Sequence, residues 1–249
     1  ANTRRVQFGY SSGTYALEQH SLEAVSPWEL QQDAGTVAKI NYAAMAVRKA
    51  QNIIALRTEY AQAALATTAA SYQAANKTTL AGVNQWSDYT GTSAPSKDIE
   101  TAKEAIRTAT GQYPNTVVLG AQVMGKLRQH PAIIDRIKYT GRDVVTPDLL
   151  AALWGVERVL VGGAVYTDAA GTMTDVWGKF VVVAYTQLGT VADLGEPTYG
   201  YTYRLDGAPY VEPGYQDRNA KSDIYPVTDE VSPVLTSAIA GYLISAAIA

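Results

Sequence analysis

From about Thr36 to Tyr72 the chain carries one alanine-rich helical pattern. At 1.5 Å rise per residue this predicts a helix of roughly 55 Å, about three times the mean helix. Val37, Ile40, Ala44, Val47 and Ile54 mark one face, which Met45, Ile53 and Leu56 widen. Lys39, Arg48, Lys49, Arg57 and Glu59 exclude a membrane helix. Ala61, Ala63, Ala64, Ala66, Ala69 and Ala70 favour helix and let other backbone approach closely. A helix this long cannot cover its apolar stripe from within, so it needs other surfaces, and those can belong to neighbouring copies.

The helix follows an alternating segment. Val6, Phe8 and Tyr10 alternate with Arg5, Gln7 and Gly9; Ser11-Ser12-Gly13 supplies a turn, and Tyr15 with Leu17 resumes the alternation. The pattern predicts an extended β-hairpin from Arg4 to Leu30. A two-stranded hairpin is marginal in water, so one bearing exposed aromatics either folds back on its own domain or lies on another subunit. Arg4, Arg5, Val6, Phe8, Tyr10, Tyr15, Leu17 and Trp28 are therefore the candidate interface residues.

Composition narrows the chemistry. With 249 residues the chain can bury a substantial core without staples. No Cys is present, which excludes disulfides and thiolate metal sites, and two histidines, His20 and His130, make a multi-histidine metal site improbable. A net charge of −3 argues against a surface dominated by phosphate contacts while leaving room for a local basic patch. Asn2 to Arg5 leads into alternation rather than a signal-peptide core, so no secretory leader is expected. The start at Ala1, without Met, fits Met removal, proteolytic maturation or a late start. Val234 to Ala249 is uncharged and apolar but too short to span a bilayer.

The remainder reads as mixed elements. Asn76 to Pro95 is a polar connection holding Trp86, Ser87 and Asp88. Ser96 is a candidate cap for a helix striped by Ile99, Ala102, Ile106 and Ala109 and stopped by Gly111. Pro114-Asn115 precedes an apolar strand, Thr116 to Leu119, and a helix is expected from about Ala121 to Gln129. Pro131 starts a short helix through Ile133, Ile134 and Ile137. Thr146-Pro147-Asp148 supplies a cap and first turn for Leu149 to Leu153, closed by Gly155. From Arg158 onward strands dominate, at Val159-Leu160-Val161, Val165-Tyr166, Lys179 to Tyr185 and Tyr199-Tyr201-Tyr203. No strict repeat is visible. The fold class is α+β, without regular alternation.

Gly120 to Lys126 nearly matches a phosphate-binding loop after a strand, which makes a nucleotide hydrolase the rival of another class. Leu127, however, stands where the magnesium-binding hydroxyl belongs, and Gln122-Val123-Met124 reads as helix. His130 has the chemistry of a general base but no nucleophile beside it, and a histidine at a helix end is more often a cap. Asp98 and Glu100 suit a helix N-terminus. Tyr199, Tyr201, Tyr203, Tyr210 and Tyr215 offer stacking faces for single-stranded nucleic acid, yet only Arg204 interleaves them, so strand packing and subunit contact fit better. No catalytic, cofactor or metal residue is assigned, and no cofactor is expected.

The order of these segments resembles the major capsid proteins of tailed bacteriophages, which have the Hong Kong 97-like fold. The hairpin from Arg4 to Leu30 resembles that fold's E-loop, and Thr36 to Tyr72 its spine helix. Trp86-Ser87-Asp88 and Pro95-Ser96-Lys97-Asp98-Ile99 are similar to the approach to the next helix of the P domain. Gly111 to Gly120, Leu127, His130-Pro131 and Asp135-Arg136-Ile137-Lys138 resemble the entry to the A domain. Ala240-Gly241-Tyr242-Leu243-Ile244 resembles the closing P-domain strand.

The resemblance implies an E-loop-like segment over 1–33, a P domain with the spine helix over 34–112, an A domain over 113–205 and a return to P-domain strands over 206–249. It implies pentamers and hexamers of an icosahedral shell around double-stranded DNA, in a virion assembled in the host cytoplasm. Copies of the chain are the main partners, with scaffolding, portal and decoration proteins beside them and no membrane. The nearest alternatives are an encapsulin-like compartment around a cargo enzyme and a fibrous adhesin or tail component.

Overall fold

A computed structural model describes residues 13–33, 41–90, 92–138, 144–187 and 198–249. Arg4, Arg5, Val6, Phe8 and Tyr10, the Ser11-Ser12 turn and the expected helix start at Thr36 lie outside these residues. The chain divides into two compact units, one of residues 1–47 with 202–232, the other of residues 48–201 with 233–249.

The first unit is organised by one long strand, β11 (Ser222–Leu235). Strand β1 (Glu18–Pro27) pairs with it antiparallel over its whole length, from Glu18 opposite Val231 to Pro27 opposite Ser222. Along the opposite edge run β10 (Tyr215–Asp217), β9 (Tyr210–Val211) and β8 (Gly200–Arg204). The second limb of the expected hairpin thus has a partner about 200 residues away in sequence. Nor does the extended segment reach Leu30, because α1 (Trp28–Asp33) begins directly after Pro27. The Trp28 N–H donates to the Lys221 carbonyl, 3.0 Å, which fixes that turn.

Helix α2 (Tyr42–Thr67) has 26 residues, about 39 Å at the usual rise. It ends five residues before the Tyr72 expected from composition, and Ala69–Ser71 form a 3₁₀ turn instead. Its last carbonyls find hydroxyl donors: Thr67 bonds Ala63 (2.8 Å), Thr68 bonds Ala64 (2.6 Å) and Tyr72 bonds Ala66 (2.7 Å). The Thr68 and Tyr72 hydroxyls take the places that further helical N–H groups would fill.

The second unit is built on a five-stranded mixed sheet in the order β2-β12-β7-β3-β4. Its strands are β2 (Lys77–Thr79), β12 (Gly241–Ser245), β7 (Val181–Ala184), β3 (Thr116–Gly120) and β4 (Arg158–Gly162). Strands β3 and β4 are parallel, as are β2 and β12, while β7 runs antiparallel to both of its neighbours. Parallel neighbours need a long crossover, which α4 (Ala121–Leu127), α5 (Pro131–Ile137) and α6 (Pro147–Trp154) supply. Strand β2 lies in the stretch read as a polar connection; Lys77-Thr78-Thr79 has no apolar alternation to reveal it.

Period two distributes the sheet's side chains between two cores. Val117, Leu119, Val181, Val183, Tyr242 and Ile244 pack with α3 (Pro95–Thr110) and α4 to α6 through Ile99, Ile106, Leu127, Ile133 and Leu150. Val182, Ala184 and Leu243 face the other way, against Ala66, Tyr72, Tyr199 and Ala240. Burial on both faces explains the unbroken valines of β7. Each fully buried Val, Leu or Ile contributes about 1.5–3 kcal/mol. The apolar run at the C-terminus is accounted for by β12, an interior strand of this sheet.

Several helix ends match their signals. Gly111 and Gly155 adopt positive φ as C-caps, and Thr146 caps α6 by accepting from the Leu149 N–H at 3.3 Å. Helix α3 differs from expectation at its start: Ala94 holds the cap position and Pro95 the first turn, so Ser96 is already inside the helix.

Candidate functional site

The phosphate-loop lookalike does not form a loop. Helix α4 begins at Ala121, immediately after β3, and Lys126 sits in its last turn, at the end away from any phosphate cradle. Gly120 has a packing role instead, since a Cβ there would lie 1.9 Å from the Gly178 carbonyl oxygen.

His130 is the N-cap of α5. Its Nδ1 accepts from the Ala132 N–H at 3.2 Å, and its Nε2 lies 3.1 Å from the Ser93 hydroxyl. The Tyr89 ring meets it edge-on. Burial holds the imidazole below its ordinary pKa, which keeps the accepting nitrogen free of a proton. This geometry is that of a structural cap.

Carboxylates are similarly committed. Asp98 accepts from the Trp86 indole at 2.7 Å, and its burial raises its pKa. Glu100 pairs with Lys103, which also donates to the Trp154 carbonyl at 2.7 Å. Asp229 is buried in the strand sheet with one oxygen on Arg204 at 3.1 Å and the other, among the described residues, without a hydrogen-bond partner. Among the described residues no group of three or more His, Cys, Asp or Glu is arranged to hold a metal, and no helix is long and apolar enough to cross a membrane.

The tyrosines do not form one platform. Tyr199 is buried against Tyr72, with which it shares a short hydroxyl contact, and burial pushes its phenol up to about 12. Tyr201 and Tyr203 are half-buried in β8, whereas Tyr210 and Tyr215 are exposed. Arg204 is tied to Asp229.

Of the candidate interface residues within the described segments, Tyr15 is 51% exposed and stacks on Tyr203. Leu17 is half-buried. Trp28 is also half-buried and donates to Asp223 at 3.0 Å. Gln31 bonds the same carboxylate at 2.9 Å, and these two donors hold Asp223 below the usual carboxylate range.

One further surface stands out. In the second unit, an open cleft of about 510 Å³ lies between Ile53, Leu56, Arg57 and Tyr60 of α2 and the β5 (Val165–Thr167) to β6 (Met173–Asp175) hairpin. Tyr60 meets Tyr166 edge-on, Ile53 is 56% exposed and Met173 68% exposed. Helical periodicity pointed to this apolar face of α2 and to its need for other surfaces, but not to the β5 to β6 hairpin that walls the cleft.

Comparison with known proteins adds to this geometry. The model of a family described as phage major capsid protein E matches residues 21–222. The major capsid protein of Burkholderia phage BcepMu is 39% identical over 232 residues, which cover 92% of this chain and 73% of that protein. A solved structure of a phage-related protein from Bordetella bronchiseptica superposes with a TM-score of 0.84 at 40% identity, covering 98% of this chain and 80% of that one. A structure from Mycobacterium phage Ogopogo is similar at the level of fold, with a TM-score of 0.58 at 12% identity over 97% of this chain and 82% of that one.

Proposed function

The chain belongs to the phage major capsid protein E family, and on that premise we propose that it is the repeating subunit of an icosahedral shell that encloses phage double-stranded DNA. The observation that carries this reading is likeness to a phage major capsid protein along 92% of the chain, in both units. The uncovered surfaces support it. A cleft lined by Ile53, Tyr60 and Tyr166 and an exposed Tyr15 are costly on an isolated subunit and useful on an assembling one.

In this proposal the subunit has the Hong Kong 97-like organisation. Residues 1–33 strap a neighbouring copy, α2 is the spine of the P domain, residues 113–205 form the A domain around pentamer and hexamer axes, and residues 206–249 return to the P domain. Arg4, Arg5, Val6, Phe8, Tyr10, Tyr15, Leu17 and Trp28 belong to the strap. The protein is a component of the virion, assembled in the host cytoplasm with scaffolding, portal and decoration proteins as further partners.

Nuclease treatment of native particles, followed by electron microscopy and identification of the contents, tests this function. Protected double-stranded DNA inside closed shells is the expected result. Particles that hold only a cargo enzyme would instead support an encapsulin-like compartment.

A further inference from the structure

Asp206-Gly207 is the only Asp-Gly step in the sequence, and no Asn-Gly occurs. The pair forms the exposed tip of the turn between β8 and β9, in the first unit. The Ala208 N–H donates to the Leu205 carbonyl at 3.1 Å, so Asp206 and Gly207 are the two central residues of a four-residue turn. Gly207 has φ +85° whereas Asp206 has an ordinary negative φ, which is the type II pattern. A Cβ added at Gly207 would meet nothing within 4 Å.

The reactive groups of this tip are unengaged. Among the described residues the Asp206 carboxylate, the Asp206 carbonyl and the Gly207 N–H form no hydrogen bond and no ion pair. Two other turn aspartates are occupied: Asp168 accepts from the Ala170 and Thr172 N–H groups at 2.9 and 2.8 Å, and Asp217 from those of Asn219 and Ala220 at 2.8 and 3.2 Å. The peptide between Asp206 and Gly207 therefore turns over without breaking a bond, because the Ala208 to Leu205 bond that closes the turn does not involve it.

We propose that Asp206 is a site of spontaneous isoaspartate formation, and so a substrate for an isoaspartyl carboxyl methyltransferase. The Gly207 nitrogen attacks Cγ of the protonated Asp206 carboxyl. A bond forms between nitrogen and Cγ, a Cγ–O bond breaks, and the hydroxyl leaves as water with the nitrogen's proton, closing a five-membered succinimide. Water then reopens the ring. Attack at Cγ restores aspartate; attack at the main-chain carbonyl breaks its bond to the Gly207 nitrogen, so the chain runs through the side-chain carboxyl and the α-carboxylate is free. Water lost equals water regained, and mass is unchanged. Glycine favours the step because no Cβ crowds the nitrogen and its φ is free to follow the rotating peptide.

The product lengthens the main chain by a carbon between two fixed points. The Leu205 N–H bonds the Glu230 carbonyl at 3.0 Å, and Tyr210 lies opposite Thr228, both on β11. The turn has to absorb the extra atom, which removes the Ala208 to Leu205 bond.

The test incubates the full-length chain in warm neutral buffer and follows the proteolytic peptide that carries Asp206 by chromatography, mass and methyl transfer from S-adenosylmethionine by a purified isoaspartyl methyltransferase. A second peak of unchanged mass should grow in and accept methyl groups. It should be lost in D206E, which keeps the charge but would have to close a larger, slower ring. In the aged chain the Ala208 amide should lose protection against exchange while β12 keeps its own. Absence of the second peak, or equal methyl acceptance by wild type and D206E, overturns the proposal. So does a peak that grows only in urea, which would mean that the folded turn holds Asp206 fast.

Discussion

Tyr15 stacks face to face on Tyr203 of β8, ring centroids 4.0 Å apart and planes 12° from parallel. The stack pins the approach to β1 onto the same sheet that β11 organises. An aromatic pair of this kind is worth about 1 kcal/mol beyond its burial. Tyr203→Ala should therefore raise amide exchange at the start of β1, from Glu18 to Leu22, by roughly fivefold, with β12 unaffected. Equal protection in both proteins would mean the stack anchors nothing.

The Trp28 indole N–H reports the charge of Asp223, to which it donates at 3.0 Å. Two donors depress this carboxyl, so its folded pKa lies below the unfolded one. The stability it contributes is present above the ordinary carboxylate value and is lost as pH falls through the depressed one. The Trp28 indole N–H resonance should move only in that acid range, and Asp223→Asn should abolish the movement.

His130 acts as a cap in its neutral form. Its folded pKa is depressed by burial, so on acidification the unfolded chain takes up the proton first, and stability should decline as pH falls below about 6.5 toward the folded value. His130→Ala should cost about 1 kcal/mol at pH 8, and His130→Asn, which keeps a capping acceptor, much less. Thermal melts at pH 8 and pH 5 check both; the Asn variant should lose the histidine's share of the slope.

Two glycines predict opposite tolerance. A Cβ on Gly120 would lie 1.9 Å from a backbone oxygen of Gly178, which cannot step aside as a flexible side chain can, whereas a Cβ on Gly163 would meet nothing within 4 Å. Gly120→Ala should destabilise by about 3 kcal/mol or more and Gly163→Ala by less than about 0.5 kcal/mol in urea unfolding. Similar midpoints for the two variants would contradict the packing described around β3.

Local signals carried much of the fold. Thr146-Pro147 and Gly155 bracket α6, Pro131 opens α5, and the valines of β3 and β7 announce buried strands, because each of these preferences acts within a few residues. What escaped is one long-range strand pairing and one helix end settled by side-chain hydroxyls. Nothing near Glu18 reveals that its partner is Val231, and nothing in the alanines after Thr67 reveals that Thr68 and Tyr72 hydroxyls will take the helix's last carbonyls. The surfaces were least legible. Ile53 widened the apolar face of the long helix in the sequence, but a helical stripe does not say which element, if any, lies over it, and Tyr60 carried no signal of its own. Lys97 and Arg136, 39 residues apart, line one pocket only through the packing of α3 against its neighbours.

Electron microscopy of the purified full-length chain, concentrated under assembly conditions, tests the central claim most directly. The account predicts closed isometric shells built of pentamers and hexamers, with shell yield falling sharply when Val6 to Leu17 is deleted from a chain that still folds. Elongated fibres, or dispersed monomers at every concentration tried, would contradict it.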